Sequence, residues 1–88
     1  MRSGVYEGQN GEFRYLLAYS ETAEGWIIDG VHLLRNGALL FPKMALPGVC
    51  ADEKTVVARG VGWCDVVVQR ILVDDENPPV DYSKVVRR

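Results

Sequence analysis

The chain has 88 residues, of which 10 are Lys or Arg and 12 are Asp or Glu, so its formal net charge is −2. This length fits one small domain rather than two. With 48% hydrophobic and 25% charged residues, the composition is typical of a folded globular protein and not of a disordered chain. The slight acidic excess disfavours a dedicated nucleic-acid binder, which normally carries a basic surplus.

The start of the chain and its cysteines predict a cytoplasmic protein. No apolar segment of the kind found in a secretory signal follows Met1, and no apolar run approaches the roughly 20 residues that span a bilayer. Cys50 and Cys64 are therefore expected to be reduced, buried thiols. His32 is the single histidine, so a metal site would lack ligands. We expect no membrane association, no metal and no cofactor.

The first part of the chain predicts a loop followed by two strands. Residues 5–11 carry glycines on a polar background, which is typical of an irregular entry into a fold. Residues 13–19 hold three aromatic side chains, and residues 26–34 are almost continuously apolar, so both segments predict strands. Gly30 interrupts the second of these strands and indicates a bulge or a close backbone approach.

A tight hairpin is predicted directly after the second strand. Asn36 and Gly37 both accept the positive φ angles of a type I′ turn, and they lie between two apolar segments. The third strand is expected at residues 38–41, antiparallel to the second. Pro42 ends it, because proline cannot donate to the hydrogen-bond ladder.

The second half of the chain predicts one helix over residues 52–72. Asp52 is a good N-cap. Apolar residues follow at spacings of four and three, as on one face of a helix: Val57, Val61, Cys64, Val68 and Ile71. Two strands at 55–59 and 65–73 remain an alternative, because β-branched valines and two glycines lower the helix propensity.

Residues 1–73 are thus predicted to form a single α+β domain, a three-stranded antiparallel sheet followed by one C-terminal helix in the order β-β-β-α. Residues 74–88 are predicted to form a flexible, disordered C-terminal tail. Three acidic residues and two prolines begin this segment, and they disfavour both a helix and a central strand.

Several turn and core motifs lie within residues 5–72: Tyr6-Glu7-Gly8, Gly25-Trp26, Arg35-Asn36-Gly37, Phe41-Pro42 and Trp63. Together they resemble small uncharacterised bacterial β-β-β-α domains. That family has no assigned activity, so the resemblance implies the fold alone. The element order is also similar to the C-terminal part of double-stranded-RNA-binding domains. Those domains place basic residues at the start of the last helix, where this chain has Asp52-Glu53-Lys54, and this departure disfavours RNA binding.

The apolar segments predict a homodimer. They place apolar side chains on both faces of the sheet, and one helix covers only one face. The residues predicted as interface anchors are Tyr15, Leu17, Tyr19, Trp26 and Ile28. Because only one face can be the interface, some of these are expected in the core. A competing interpretation is that the N-terminal loop or the tail covers the second face. The predicted function is a non-enzymatic, self-associating module that binds a protein partner.

Two alternative functions follow from other residues. A nucleic-acid-binding domain, or a regulatory domain of the toxin–antitoxin type, requires one surface shared by Arg14, Arg35, Lys43 and Arg59. A small-molecule or catalytic site requires His32 and Cys64 to converge in a pocket. No catalytic motif or nucleotide-binding loop is present in the sequence, so an enzyme is not the preferred prediction.

Overall fold

The computed structural model describes residues 1–40 and 44–76, which form one antiparallel sheet and one long helix. The elements in chain order are β1 (Ser3–Asn10), β2 (Phe13–Glu21), β3 (Trp26–Arg35), β4 (Ala38–Leu39), β5 (Met44–Cys50) and α1 (Glu53–Glu76). The predicted α+β class, with an antiparallel sheet followed by a C-terminal helix, is confirmed. The sheet has two strands more than expected, β1 and β5.

β3 is the central strand of the sheet. The strand order is β1-β2-β3-β4, and β5 pairs with β3 on the same side as β4. β4 pairs with the end of β3 at Leu34 and Arg35, whereas β5 pairs with its earlier part from Trp26 to Val31. β1 therefore forms one edge of the sheet, and the short β4 and the irregular β5 share the other.

The bulge and the hairpin turn lie where the sequence predicts them. Ala18 pairs with Gly30 and Tyr19 pairs with Ile28, so Asp29 is an extra residue in β3. Asn36 and Gly37 have φ angles of 51° and 85°, as a type I′ turn requires. Residues 41–43, which include the predicted stop at Pro42, lie outside the described residues.

The glycines of residues 5–11 do not mark a loop, and this corrects the prediction for the segment. β1 pairs with β2 in regular register over its whole length. A Cβ atom on Gly4 would lie 2.7 Å from the Tyr19 hydroxyl, and one on Gly8 would lie 2.8 Å from the Tyr6 ring. Glycine is therefore required at both positions, because tyrosine rings occupy the space that a side chain would need. The contact with these rings compensates for the low strand propensity of glycine.

The core lies between α1 and one face of the sheet. Alternate residues of β2 are buried, from Phe13 to Tyr19, and α1 buries a column of residues spaced by four: Val56, Gly60, Cys64 and Val68. A spacing of four follows one helix face. These contacts outweigh the poor helix propensity of the valines, so the single predicted helix is confirmed and the two-strand alternative is wrong.

Both ends of α1 differ little from the prediction. The Thr55 backbone N–H donates to Asp52 Oδ1 at 2.8 Å, so Asp52 is the N-cap. The helix continues through Glu76, four residues beyond the predicted end. Residues 74–76 are therefore helical rather than part of a tail, and residues 77–88 lie outside the described residues.

Candidate interaction surface

The five predicted interface anchors all lie in the core. Their exposed fractions range from 1% to 8%: Tyr15, Leu17, Tyr19, Trp26 and Ile28. They occupy the strand face that α1 covers, so none of them offers an exposed contact surface on this chain. This corrects the assignment of the interface. The aromatic residues that suggested binding are instead the residues that hold helix and sheet together.

Two of these tyrosines bind the helix through their hydroxyls. Tyr15 Oη donates to Asp65 Oδ1 at 2.7 Å and accepts from Asn10 Nδ2 at 3.0 Å. Tyr19 Oη donates to Glu53 Oε2 at 2.8 Å. Burial, reinforced by Asp65, raises the pKa of Tyr15 to about 12, and the hydrogen bond to Glu53 raises the pKa of Tyr19. Both hydroxyls are therefore neutral donors at physiological pH.

His32 and Cys64 do not form a site. Cys64 is fully buried on the sheet-facing side of α1, whereas His32 pairs with Leu16 on the opposite face of the sheet. Burial raises the pKa of the Cys64 thiol to about 11, so this thiol is protonated and unreactive near neutral pH. Cys50 is also buried, and both cysteines are free. The convergence that a small-molecule or catalytic site at His32 and Cys64 requires is therefore absent.

The predicted basic residues are not brought together on one surface. Arg14 forms an ion pair with Glu7, and Arg35 Nη2 lies 2.7 Å from Asp75 Oδ2. Arg59 is on the helix, where it donates to the Pro47 carbonyl. Arg14 alternates with buried residues of β2 and so lies on the face opposite the helix. The nucleic-acid interpretation gains no support from this arrangement, and Lys43 lies outside the described residues.

The surface that remains is the face of the sheet opposite α1, which we call the open face. Its side chains form rows across neighbouring strands, each read from β1 towards β3 and β4: Ser3, Ser20 and Ile27; Val5, Ala18 and Gly30; Glu7, Leu16 and His32; Gln9, Arg14, Leu34 and Leu39. None of the elements formed by residues 1–40 and 44–76 packs against it, since α1 contacts β2, β3 and β5 from the other side.

The open face is apolar along its centre. Val5 is 72% exposed and Leu39 is 51% exposed, and the apolar residues between them are half-buried by their neighbours: Leu16, Ala18, Ile27 and Leu34. The pattern that could have identified these residues is the period of two in β2. Once the aromatic positions are assigned to the core, the residues between them must face the other way.

A second exposed apolar surface lies on the outer side of α1. Val66 is 70% exposed and Val73 is 42% exposed. They line a shallow groove with polar neighbours: Gln69, Arg70 and Asp74. This surface supplies control positions for testing the open face.

No family model, curated protein or solved structure matches the chain. The resemblance to small bacterial β-β-β-α domains therefore stays a prediction. Within the described ranges, no group of three or more His, Cys, Asp or Glu residues is placed to hold a metal ion. Over the same part of the chain, no helix is long and apolar enough to cross a membrane.

Proposed function

We propose that this chain is a non-enzymatic interaction module that forms a homodimer by packing its open face against the open face of a second copy. The observation that carries the proposal is the apolar centre of this face, to which no element of the described residues contributes a cover. Contiguous exposed apolar patches on small proteins mark interaction sites. A cytoplasmic location belongs to the same proposal and is supported by the two free, buried thiols.

The charges of the open face suit a partner identical to the chain itself. Glu7 and Arg14 are the charged side chains of its rows and pair with each other within one copy, and the exposed Asp29 at the bulge adds one further charge. The face therefore carries no net charge from these two groups. Two copies can therefore approach with less like-charge repulsion than a surface of many charges of one sign would cause.

The size of the open face predicts a weak dimer. Four strand positions about 4.8 Å apart, the fourth shared by β4 and β5, each about eight residues long at about 3.3 Å per residue, give a footprint of roughly 500 Å². Two footprints bury about 1,000 Å², which lies at the lower limit for specific interfaces. We expect a dissociation constant of about 10 µM, so the dimer forms in concentrated solution and dissociates on dilution.

Sedimentation velocity over about 1 to 500 µM tests this proposal. The wild-type chain should change from monomer to dimer across that range. Leu16→Lys replaces an apolar side chain in the centre of the face with a charge beside Glu7 that association would remove from water. It should weaken association at least tenfold, a loss of about 1.4 kcal/mol or more. Circular dichroism should show an unchanged fold, because Leu16 lies outside the core.

Val66→Lys is the matched control. It introduces the same charge at an exposed apolar position, but on the outer side of the helix. We expect it to leave the dissociation constant unchanged. A wild-type chain that stays monomeric at the highest concentration would exclude the proposal. So would a Val66→Lys variant that dissociates as readily as Leu16→Lys.

A further inference from the structure

Among residues 1–40 and 44–76, no strand pairs with the outer edge of β1. The Glu21 backbone N–H donates to the Arg2 carbonyl at 2.7 Å, which directs the even-numbered residues of this strand towards β2. Successive residues of a strand direct these groups to opposite sides. The N–H and C=O groups of the odd-numbered residues therefore face away from the sheet: Ser3, Val5, Glu7 and Gln9.

The two edges of the sheet differ in their protection against strand addition. β5 contains Pro47 and Gly48, the latter with φ of 104°, and its pairing with β3 is irregular at two points. β4 on the same side has only two residues. β1 is eight residues long with uninterrupted pairing, and it contains neither proline nor lysine. Prolines, lysines, bulges and short strands are the usual means of blocking an edge.

We propose that the free edge of β1 pairs antiparallel with β1 of a second copy, so that two sheets join into one continuous sheet. This contact uses the backbone edge rather than the open face, so it is separate from the interface of the proposed function. Either contact can exist without the other. Strand addition at an exposed edge obtains its affinity from main-chain hydrogen bonds.

The sequence of β1 favours one register for this pairing. Centred on Tyr6, the two strands overlap from residue 3 to residue 9, with Val5 opposite Glu7 and Ser3 opposite Gln9 of the second copy. About eight backbone hydrogen bonds then form, because only outward-facing residues meet. A register centred on Glu7 would place two carboxylates directly opposite each other, which is destabilising.

The helix side of β1 has room for this contact. α1 packs mainly over β2, β3 and β5, so it does not extend across the edge strand. In the register centred on Tyr6, Gly4 of one copy lies opposite Gly8 of the other. These positions carry no side chain, and the Tyr6 ring of each copy lies along its own strand over Gly8.

Amide hydrogen exchange measured by nuclear magnetic resonance on the wild-type chain tests the edge directly. The amides of Val5 and Glu7 should exchange rapidly in dilute solution, and their exchange should slow at least about tenfold on concentration to about 1 mM. The amides of Tyr6 and Gly8 point to β2 and should be protected at both concentrations. Packing through the open face alone does not slow the outward-facing amides, since it forms no backbone hydrogen bonds.

A pair of substitutions at Glu7 provides the second test. Glu7→Pro removes the carboxylate and the outward-facing N–H, whereas Glu7→Thr removes the carboxylate and keeps the N–H. We expect Glu7→Pro to abolish the concentration-dependent protection at Val5 and Glu7→Thr to retain it. Unchanged exchange of the wild-type Val5 and Glu7 amides on concentration would overturn the edge contact. Equal protection in the two variants would do the same.

The two proposals fail in different ways. If only the open face is an interface, Leu16→Lys weakens association while the outward amides of β1 never gain protection. If only the edge is an interface, those amides gain protection in both the wild-type chain and Leu16→Lys. Should Glu7→Pro unfold, the exchange of the wild-type chain still decides the question.

Discussion

The hydroxyl of Tyr15 is the most fully engaged polar group in the core. It lies on β2, it donates to Asp65 on α1, and it accepts from Asn10 at the end of β1. One side chain thus joins three elements of the fold. The ring is 3% exposed, so water does not readily replace either partner if the hydroxyl is removed.

We expect Tyr15→Phe to lower the free energy of unfolding by about 1–2 kcal/mol, because it leaves the Asp65 carboxylate and the Asn10 amide without this partner. Urea denaturation followed by tryptophan fluorescence measures the change. Tyr6→Phe is the control, since no hydrogen bond joins the Tyr6 hydroxyl to the residues that the structure describes. Its effect should stay within about 0.5 kcal/mol. Equal losses in the two variants would contradict this role of the hydroxyl.

The same hydroxyl predicts a loss of stability in alkali. Burial raises the pKa of Tyr15 from 10.0 to about 12. The unfolded chain therefore loses this proton first, so the contribution is intact below about pH 10 and is lost as the pH rises towards 12. Burial raises the pKa of Cys64 from 9.0 to about 11, so its contribution to the free energy of unfolding is also lost as the pH rises, beginning at a lower pH than that of Tyr15.

In urea denaturation at a series of pH values, the free energy of unfolding of the wild-type chain should fall between about pH 9 and 12. In Tyr15→Phe the fall should be smaller, since only the Cys64 contribution and that of Tyr19 remain. A wild-type chain and a Tyr15→Phe variant with the same alkaline slope would show that the tyrosine does not titrate as its burial implies.

At the scale of the elements, two glycines of α1 have opposite roles. A Cβ atom on Gly60 would lie 2.6 Å from Leu17 Cδ1, and the Leu17 side chain is almost completely buried. No atom outside the helix itself lies within 4 Å of the Cβ position of Gly62 among the described residues. Gly60 therefore permits the close approach of helix and sheet, whereas Gly62 has no such role.

We expect Gly60→Ala to destabilise the chain by about 1–3 kcal/mol, because Leu17 has no free space into which to move. Gly62→Ala should stabilise it by up to about 1 kcal/mol, since alanine is the better helix former. Thermal denaturation of both variants measures the difference. Changes of the same sign would contradict the packing role of Gly60.

Sequence patterns identified the elements whose signals are local. Asn36-Gly37, the Asp52 cap and the apolar spacing of the helix each act within a few residues, and the turn, the cap and the helix were predicted correctly. The buried face of the helix was predicted only in part, since Val57, Val61 and Ile71 are partly buried beside the column formed by Val56, Gly60, Cys64 and Val68. β1 was missed because Gly4 and Gly8 indicate a strand only once Tyr19 and Tyr6 lie across them. One of these rings, that of Tyr19, belongs to the neighbouring strand, so the local sequence of residues 3–10 does not indicate that these glycines lie in a strand.

The candidate interface was misplaced for a related reason. Tyr15, Tyr19 and Trp26 are residue types enriched at interfaces, but the same large side chains fill a core. Whether these residues lie in the core or on the surface depends on which face of the sheet α1 covers, and no local sequence pattern identifies that face. The period of two places these residues on one face of the sheet. The undecided question was which of the two faces is buried. Once the helix is placed, the open face follows without further information.

At the scale of the whole molecule, the two faces of the sheet should respond differently to charge. We expect Trp26→Asp to unfold the chain, because Trp26 is 4% exposed and a carboxylate there would lie in the core without a partner. Leu16→Lys on the opposite face should change only the state of association. Far-ultraviolet circular dichroism distinguishes a lost fold from a lost dimer. A folded Trp26→Asp monomer would show that this residue belongs to an interface after all.

The unequal protection of the two sheet edges limits how far the proposed strand pairing can grow. Each chain has one edge suited to addition, and joining at β1 consumes that edge in both partners. The outer margins of the joined sheet are then the two copies of β4 and β5, where Pro47 and the bend at Gly48 disfavour a further strand. Such pairing terminates after a single step. Raising the concentration would increase the number of edge-joined pairs and not the number of strands added at each edge, so strand pairing by itself does not extend the sheet indefinitely.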